Sequence, residues 1–182
     1  MKRQVVPFPR SYWVVPGKLL AGYYPGSRHS IIAEAKLKGL LAHGIRQIVN
    51  LMEENERNFS GKRFVPYEGM LKAIAEEMNI PIKIVHQPIR DMEVPTPETM
   101  VEILDEIDGA IQHNSVVYLH CWGGRGRTGT VVGCYLARHG MGVGESALKL
   151  LSELRQKDPI SHLSSPETEI QAEFVRSWPE GK

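Results

Sequence analysis

The run Val116-Val117-Tyr118-Leu119 is apolar throughout, and it leads at once into His120-Cys121-Trp122-Gly123-Gly124-Arg125-Gly126-Arg127-Thr128-Gly129. A short uninterrupted apolar run followed by a glycine-rich turn reads as a buried strand. The glycines let the backbone curl tightly, and a helical pattern follows from about Arg127 to His139. Strand, glycine-rich turn and helix in direct succession leave few architectures open. In open α/β sheets the carboxyl end of a strand is where ligands bind, and Cys121 lies just past that end.

The rest of the chain repeats the alternation. Trp13-Val14-Val15, Pro16-Gly17 and Leu19-Leu20-Ala21 read as a short hairpin. The spacing predicts a helix over Ile31 to His43 that stops at Gly44, then a strand over Ile45 to Leu51 and a charged loop over Glu53 to Arg63. A helix is expected over Tyr67 to Met78, with Leu71, Ile74, Ala75 and Met78 on one face, and a short strand over Ile82 to Val85. Thr96 caps a helix that has Pro97 at its first position and Glu98 in its first turn; Met100, Val101, Leu104, Ile107 and Ile111 are spaced to face a core. A helix over Glu145 to Gln156 and a last one starting at Ser165-Pro166-Glu167 complete the chain. The expected fold class is α/β, a largely parallel central sheet flanked by helices on both faces.

Composition narrows the function classes. The chain has 182 residues, with 42% hydrophobic and 24% charged residues, and 22 basic against 21 acidic side chains leave a formal charge of +1. That length suits one domain, taken as 1–182. The charge balance argues against a general nucleic-acid or membrane-surface binder. Two cysteines, Cys121 and Cys134, do not make a disulfide framework. Met1 to Arg10 is polar, carries Pro7 and Pro9 and lacks the apolar core of a signal peptide, and no apolar run approaches the ~18 residues of a membrane span. A reducing cytoplasm and a monomer are expected.

Gly124-Arg125-Gly126-Arg127-Thr128-Gly129 also matches G-x-G-x-x-G, the turn of a dinucleotide site. That reading needs a further strand with an acidic residue at its end, and residues 141–182 hold only helical patterns and a polar loop. A plain capped strand-to-helix turn explains the glycines. It does not explain two arginines and a histidine packed beside a thiol.

A phosphate site explains each residue. Backbone N–H groups at a helix N-terminus ring a phosphate dianion, which assigns Trp122, Gly123, Gly124, Arg125, Gly126 and Arg127 to phosphate binding. Cys121 opens the loop, so the same N–H groups and the helix dipole favour its thiolate, the nucleophile. The planar fork of Arg127 can hold two phosphate oxygens and offset transition-state charge. Thr128 can donate its hydroxyl to the sulfur and ease its departure in the second step.

His120-Cys121-x5-Arg127-Thr128-Gly129 resembles the active-site loop of the protein tyrosine phosphatase superfamily, and within it that of the small atypical dual-specificity phosphatases. Trp13 to Gly22 is similar to the N-terminal hairpin of that group, Gly44 to Leu51 to its second strand, and Pro166-Glu167-Thr168 with Gln171 to its last helix. The resemblance implies a single α/β domain, a phosphocysteine intermediate, and neither metal nor other cofactor.

The leaving oxygen needs a proton. Asp91, in the loop Pro88 to Pro95 and 30 residues before the cysteine, has a spacing similar to that of the family's general-acid aspartate; Glu93 is the reserve. His120 is expected to support the loop through hydrogen bonds that also favour the thiolate. Cys134 reads as a small core residue, with redox partnership to Cys121 as the less favoured alternative. Glu53, Glu54 and Glu56 read as a solvated loop, with bracing of Arg127 as the alternative. No metal-ligand spacing is present.

The leading expectation is a phosphatase acting on a phosphorylated protein or a small phosphate ester. Phosphotyrosine is its first substrate class, and phosphoserine and phosphothreonine stay open. Arg125, a second cation in the loop, motivates an alternative inositol-phosphate or phosphoinositide phosphatase, with no membrane-binding stretch to accompany it. A non-catalytic phosphate-binding module and an RNA 5′-phosphatase rank lower.

Overall fold

The computed structural model describes residues 5–182. Met1 to Gln4, part of the segment read above as polar and without an apolar core, lie outside the described residues.

The chain runs through β1 (Ser11–Val15), β2 (Leu19–Gly22), α1 (Ser30–Ala42), β3 (Ile45–Asn50), α2 (Glu68–Glu77), β4 (Lys83–His86), α3 (Pro97–Gln112), β5 (Val116–His120), α4 (Arg127–Arg138), α5 (Glu145–Leu154) and α6 (Glu169–Arg176). The five strands form one sheet in the order β1-β2-β5-β3-β4. Only the hairpin β1-β2 is antiparallel; β2-β5, β5-β3 and β3-β4 are parallel. β5, the apolar run, is central because both its faces are covered. Val117 and Leu119 enter the core shared with α3, α4, α5 and α6. Tyr118 points the other way, into the core under α1 and α2.

Register decides where the loops emerge. Gly22 and Asn50 both lie opposite His120, and Asn50 lies opposite His86. Four strands therefore end level, and the segments that follow β2, β3, β4 and β5 open on one edge of the sheet. Among the described residues, no helix is long and apolar enough to cross a membrane.

Most expected elements form within a residue or two of their expected bounds. Gly44 stops α1 at φ +86, a conformation cheap only for glycine. Thr96 accepts the Thr99 amide at 3.2 Å and caps α3. The face of α3 differs in part: Met100, Leu104 and Ile107 are buried as expected, Ile103 joins them, and Val101 and Ile111 are only half-buried. Met78 falls just past α2 and is 41% exposed rather than on its buried face. The last helix begins later than expected, at Glu169. Thr168 is its cap, and Gln171 reaches back to form a capping box, while the Ser165 hydroxyl donates to Arg125 O instead of capping the helix.

Candidate active site

Cys121 leaves the end of β5 and is 2% exposed. It borders a cavity of about 330 Å³ that Asp91, Trp122, Gly123, Arg125, Gly126 and Arg127 also line. The loop that follows it is held from outside by its carbonyls. Tyr24 N donates to Trp122 O at 3.0 Å, Arg10 Nη2 to Gly123 O at 2.7 Å, and Ser165 Oγ to Arg125 O at 2.8 Å. The N–H groups of Trp122 to Gly126 donate to no backbone carbonyl among the described residues, which leaves them for an anion. Gly124, at φ +68, presses against the end of β2: a Cβ there would lie 2.5 Å from the Gly22 carbonyl carbon. No other residue fits that approach.

Arg127 opens α4 and is 1% exposed. Its Nη1 donates to Glu56 Oε2 at 2.6 Å and to Ile89 O at 3.0 Å, and its Nη2 to Glu56 Oε1 at 2.7 Å. Asp91 Oδ1 lies 2.9 Å from Nη2. Burial alone would lower the pKa of the guanidinium, but the Glu56 hydrogen bonds and the charges of Cys121, Glu56 and Asp91 outweigh it and raise the value. Nε is buried with no partner. Glu56 thus occupies the end of the guanidinium, and Nε with the adjoining Nη2 form the edge left for phosphate oxygens.

Glu56 is the main correction to the sequence reading. It lies in the charged 53–63 loop, which was expected to be solvated, yet its side chain is 6% exposed and grips Arg127. Seventy-one residues separate the two, and nothing local in the sequence distinguishes Glu56 from Glu53 or Glu54. Asp91 does reach the cavity, but its carboxylate rests on Arg127. Glu93 pairs with Arg90 and stays off the cavity wall.

His120 is fully buried. Its Nδ1 lies 3.1 Å from Cys121 O and its Nε2 2.7 Å from the Tyr67 hydroxyl. A carbonyl only accepts, so Nδ1 carries the proton and Nε2 accepts from Tyr67. Burial pushes the His120 pKa down to about 3, so the ring is neutral and its part is loop geometry rather than a positive charge beside the sulfur. Thr128 Oγ1 is buried with no hydrogen-bond partner, so the expected bond to the Cys121 sulfur is not formed. Cys134 is a free, fully buried thiol whose pKa burial pushes up, as a core residue should be.

Two further features were not legible in the sequence. Arg125 is paired with Glu167, from the segment before α6. Trp122 turns its ring onto Phe59 and Phe64, with centroids 4.5 and 5.4 Å away, so only its backbone is placed to serve an anion.

The chain as a whole is similar to several known proteins. A family model described as polymorphic toxin system, DSP-PTPase phosphatase matches residues 25–141. An uncharacterized protein of Methanocaldococcus jannaschii is 32% identical over 110 residues, 59% of this chain and 69% of that protein. The dual specificity protein phosphatase CDC14B of Mus musculus is 27% identical over 139 residues, 70% of this chain; the match spans only 24% of that longer protein. Among solved structures, Tk-PTP in its active form superposes with a TM-score of 0.64 at 26% identity, covering 94% of this chain and 97% of that one.

Proposed function

The chain belongs to the DSP-PTPase phosphatase family of polymorphic toxin systems, and on that premise we propose that it hydrolyses phosphate monoesters through a phosphocysteine intermediate on Cys121, as one catalytic domain. The observation that carries this reading is the convergence of Cys121, the unpaired loop N–H groups, Arg127 and Asp91 on a single cavity.

The thiolate of Cys121 attacks phosphorus, and the bond from phosphorus to the ester oxygen breaks. The loop N–H groups and the Nε–Nη2 edge of Arg127 hold the equatorial oxygens and offset the charge that develops on them. To use that edge, the phosphate displaces Asp91 from Nη2. The freed carboxyl, protonated, then delivers its proton to the leaving oxygen. In the second step water attacks the phosphocysteine, Asp91 takes the proton from that water, and the sulfur leaves as thiolate with the Thr128 hydroxyl turned towards it.

Phosphotyrosine is the preferred substrate in this reading. Tyr23, Tyr24, Phe59, Met92, Trp122 and Leu163 line the cavity and supply apolar surface for an aryl ring, which the short side chains of phosphoserine and phosphothreonine would leave uncovered. The motive for an inositol-phosphate substrate was the charge of Arg125, and Glu167 neutralises it.

The test is an acid quench. Protein incubated with a ³²P-labelled phosphotyrosine peptide in the presence of a chelator should release phosphate and retain label on Cys121. Hydrolysis that stops on chelation, or label on another residue, would refute the mechanism.

A further inference from the structure

Charge around the mouth of the cavity is balanced unevenly. Arg127 faces two carboxylates, Glu56 and Asp91, and Arg125 faces Glu167. Arg10 lines the same cavity and pairs with no carboxylate among the described residues. It is nonetheless held in place. Its Nη2 donates to Gly123 O at 2.7 Å, and its guanidinium lies 4.6 Å from the centroid of the Tyr23 ring. Its Nε is buried without a partner.

The backbone of Arg10 sits at φ +65. That region is uncommon for residues other than glycine, and it persists where the surroundings over-determine it, often at ligand clamps. The Tyr23 ring also carries a second cation, Lys36, whose Nζ is 4.5 Å from the centroid. Lys36 donates only to neutral oxygens: Tyr23 Oη, Tyr24 O and Gly26 O. Arg10 and Lys36 therefore share one aromatic ring with no acid between them, but only Arg10 lies on the cavity wall; Lys36 is buried away from it, and the Arg125–Glu167 wall is neutral.

We infer that Arg10 is a second anion-recognition point at the rim, taking the carboxylate of an acidic residue that flanks the phosphotyrosine of a peptide substrate. The inference rests on the cavity being the substrate site proposed above. Arg10 is bound to the loop only two residues past Cys121, so the side chain it reads belongs to a residue close to the phosphotyrosine. An arginine fork already fixed by one hydrogen bond and an aromatic ring loses little freedom on taking a carboxylate.

Binding to the Cys121→Ser protein separates recognition from turnover. Two phosphotyrosine peptides identical except for Glu against Gln beside the phosphotyrosine are titrated by fluorescence anisotropy. The Glu peptide should bind about tenfold tighter, within the range of a charge-assisted pair, and raised salt should erode that ratio. Adding Arg10→Gln should bring the ratio close to one, and adding Arg10→Lys should keep part of it. A ratio near one with Arg10 present, a ratio indifferent to salt, or the same ratio in the Arg10→Gln protein would overturn the inference alone. If neither peptide binds and the wild-type protein hydrolyses no phosphate ester, the phosphatase reading falls and this inference with it.

Discussion

Glu56 grips Arg127 through both carboxylate oxygens, Oε2 to Nη1 at 2.6 Å and Oε1 to Nη2 at 2.7 Å. Both side chains are almost wholly buried, so removing one leaves the other charge without water to replace it. Glu56→Ala is expected to cost about 3–5 kcal/mol of stability, where an exposed loop glutamate would cost no more than ~0.5 kcal/mol. Urea unfolding of the variant measures this, and kcat should fall with it because Arg127 loses its aim. A loss within the range of a surface substitution would show that the pair does not hold the guanidinium.

Asp91 occupies the Nη2 position that the proposed mechanism gives to phosphate. Two effects of Asp91→Asn should therefore separate. Inorganic phosphate should inhibit the variant more strongly than the wild type, since a competing carboxylate is gone. Turnover of an unactivated phosphopeptide should fall by on the order of 10²–10⁴-fold, with a much smaller loss on p-nitrophenyl phosphate, whose leaving group needs no proton. Glu93→Gln should do neither. Equal losses on both substrates would take the proton-donor role away from Asp91.

The Thr128 hydroxyl is buried and unpaired. Thr128→Val keeps the shape and removes the polar atom, so stability should hold or rise by roughly 1 kcal/mol. If the hydroxyl assists the departing sulfur, the same variant should accumulate phosphocysteine, seen as a burst of released alcohol followed by a slow steady state. A variant with neither a burst nor a slower steady state would leave Thr128 no part in the second step.

His120 is held neutral, its pKa pushed from 6.5 down to about 3 by burial. A base whose pKa is lower in the native state binds fewer protons there than when unfolded. Its contribution to stability is therefore complete above about pH 6.5 and is lost as pH falls towards about 3, by on the order of a few kcal/mol. Unfolding free energies at pH 7 and pH 4.5 should differ more for the wild type than for His120→Asn. An equal difference would mean that His120 titrates as it does in the unfolded chain.

Much of this was legible in the sequence because it is local. The apolar period of Val116 to Leu119, the glycines after Cys121, Gly44 past the end of α1 and the Thr96-Pro97-Glu98 start of α3 each act within a turn of their own position. The spacing from Cys121 to Arg127 places both on one loop whatever the rest of the chain does. The resemblance to dual-specificity phosphatases also rests on local runs: His120 to Gly129, Trp13 to Gly22, Gly44 to Leu51, and Pro166 to Thr168 with Gln171.

What only the tertiary structure decided is which distant charges meet. Glu53, Glu54 and Glu56 are equivalent as text, and the level ends of β3, β4 and β5 carry only Glu56 onto Arg127. The same convergence puts Asp91 on Arg127 in place of open solvent; the packing of the segment before α6 puts Glu167 on Arg125, and the entry to β1 puts Arg10 beside Gly123 with no acid among the described residues to oppose it. Backbone preference is a property of neighbours in sequence, whereas ion pairing depends on separations of a few ångströms that only the folding together of strands, helices and their loops sets.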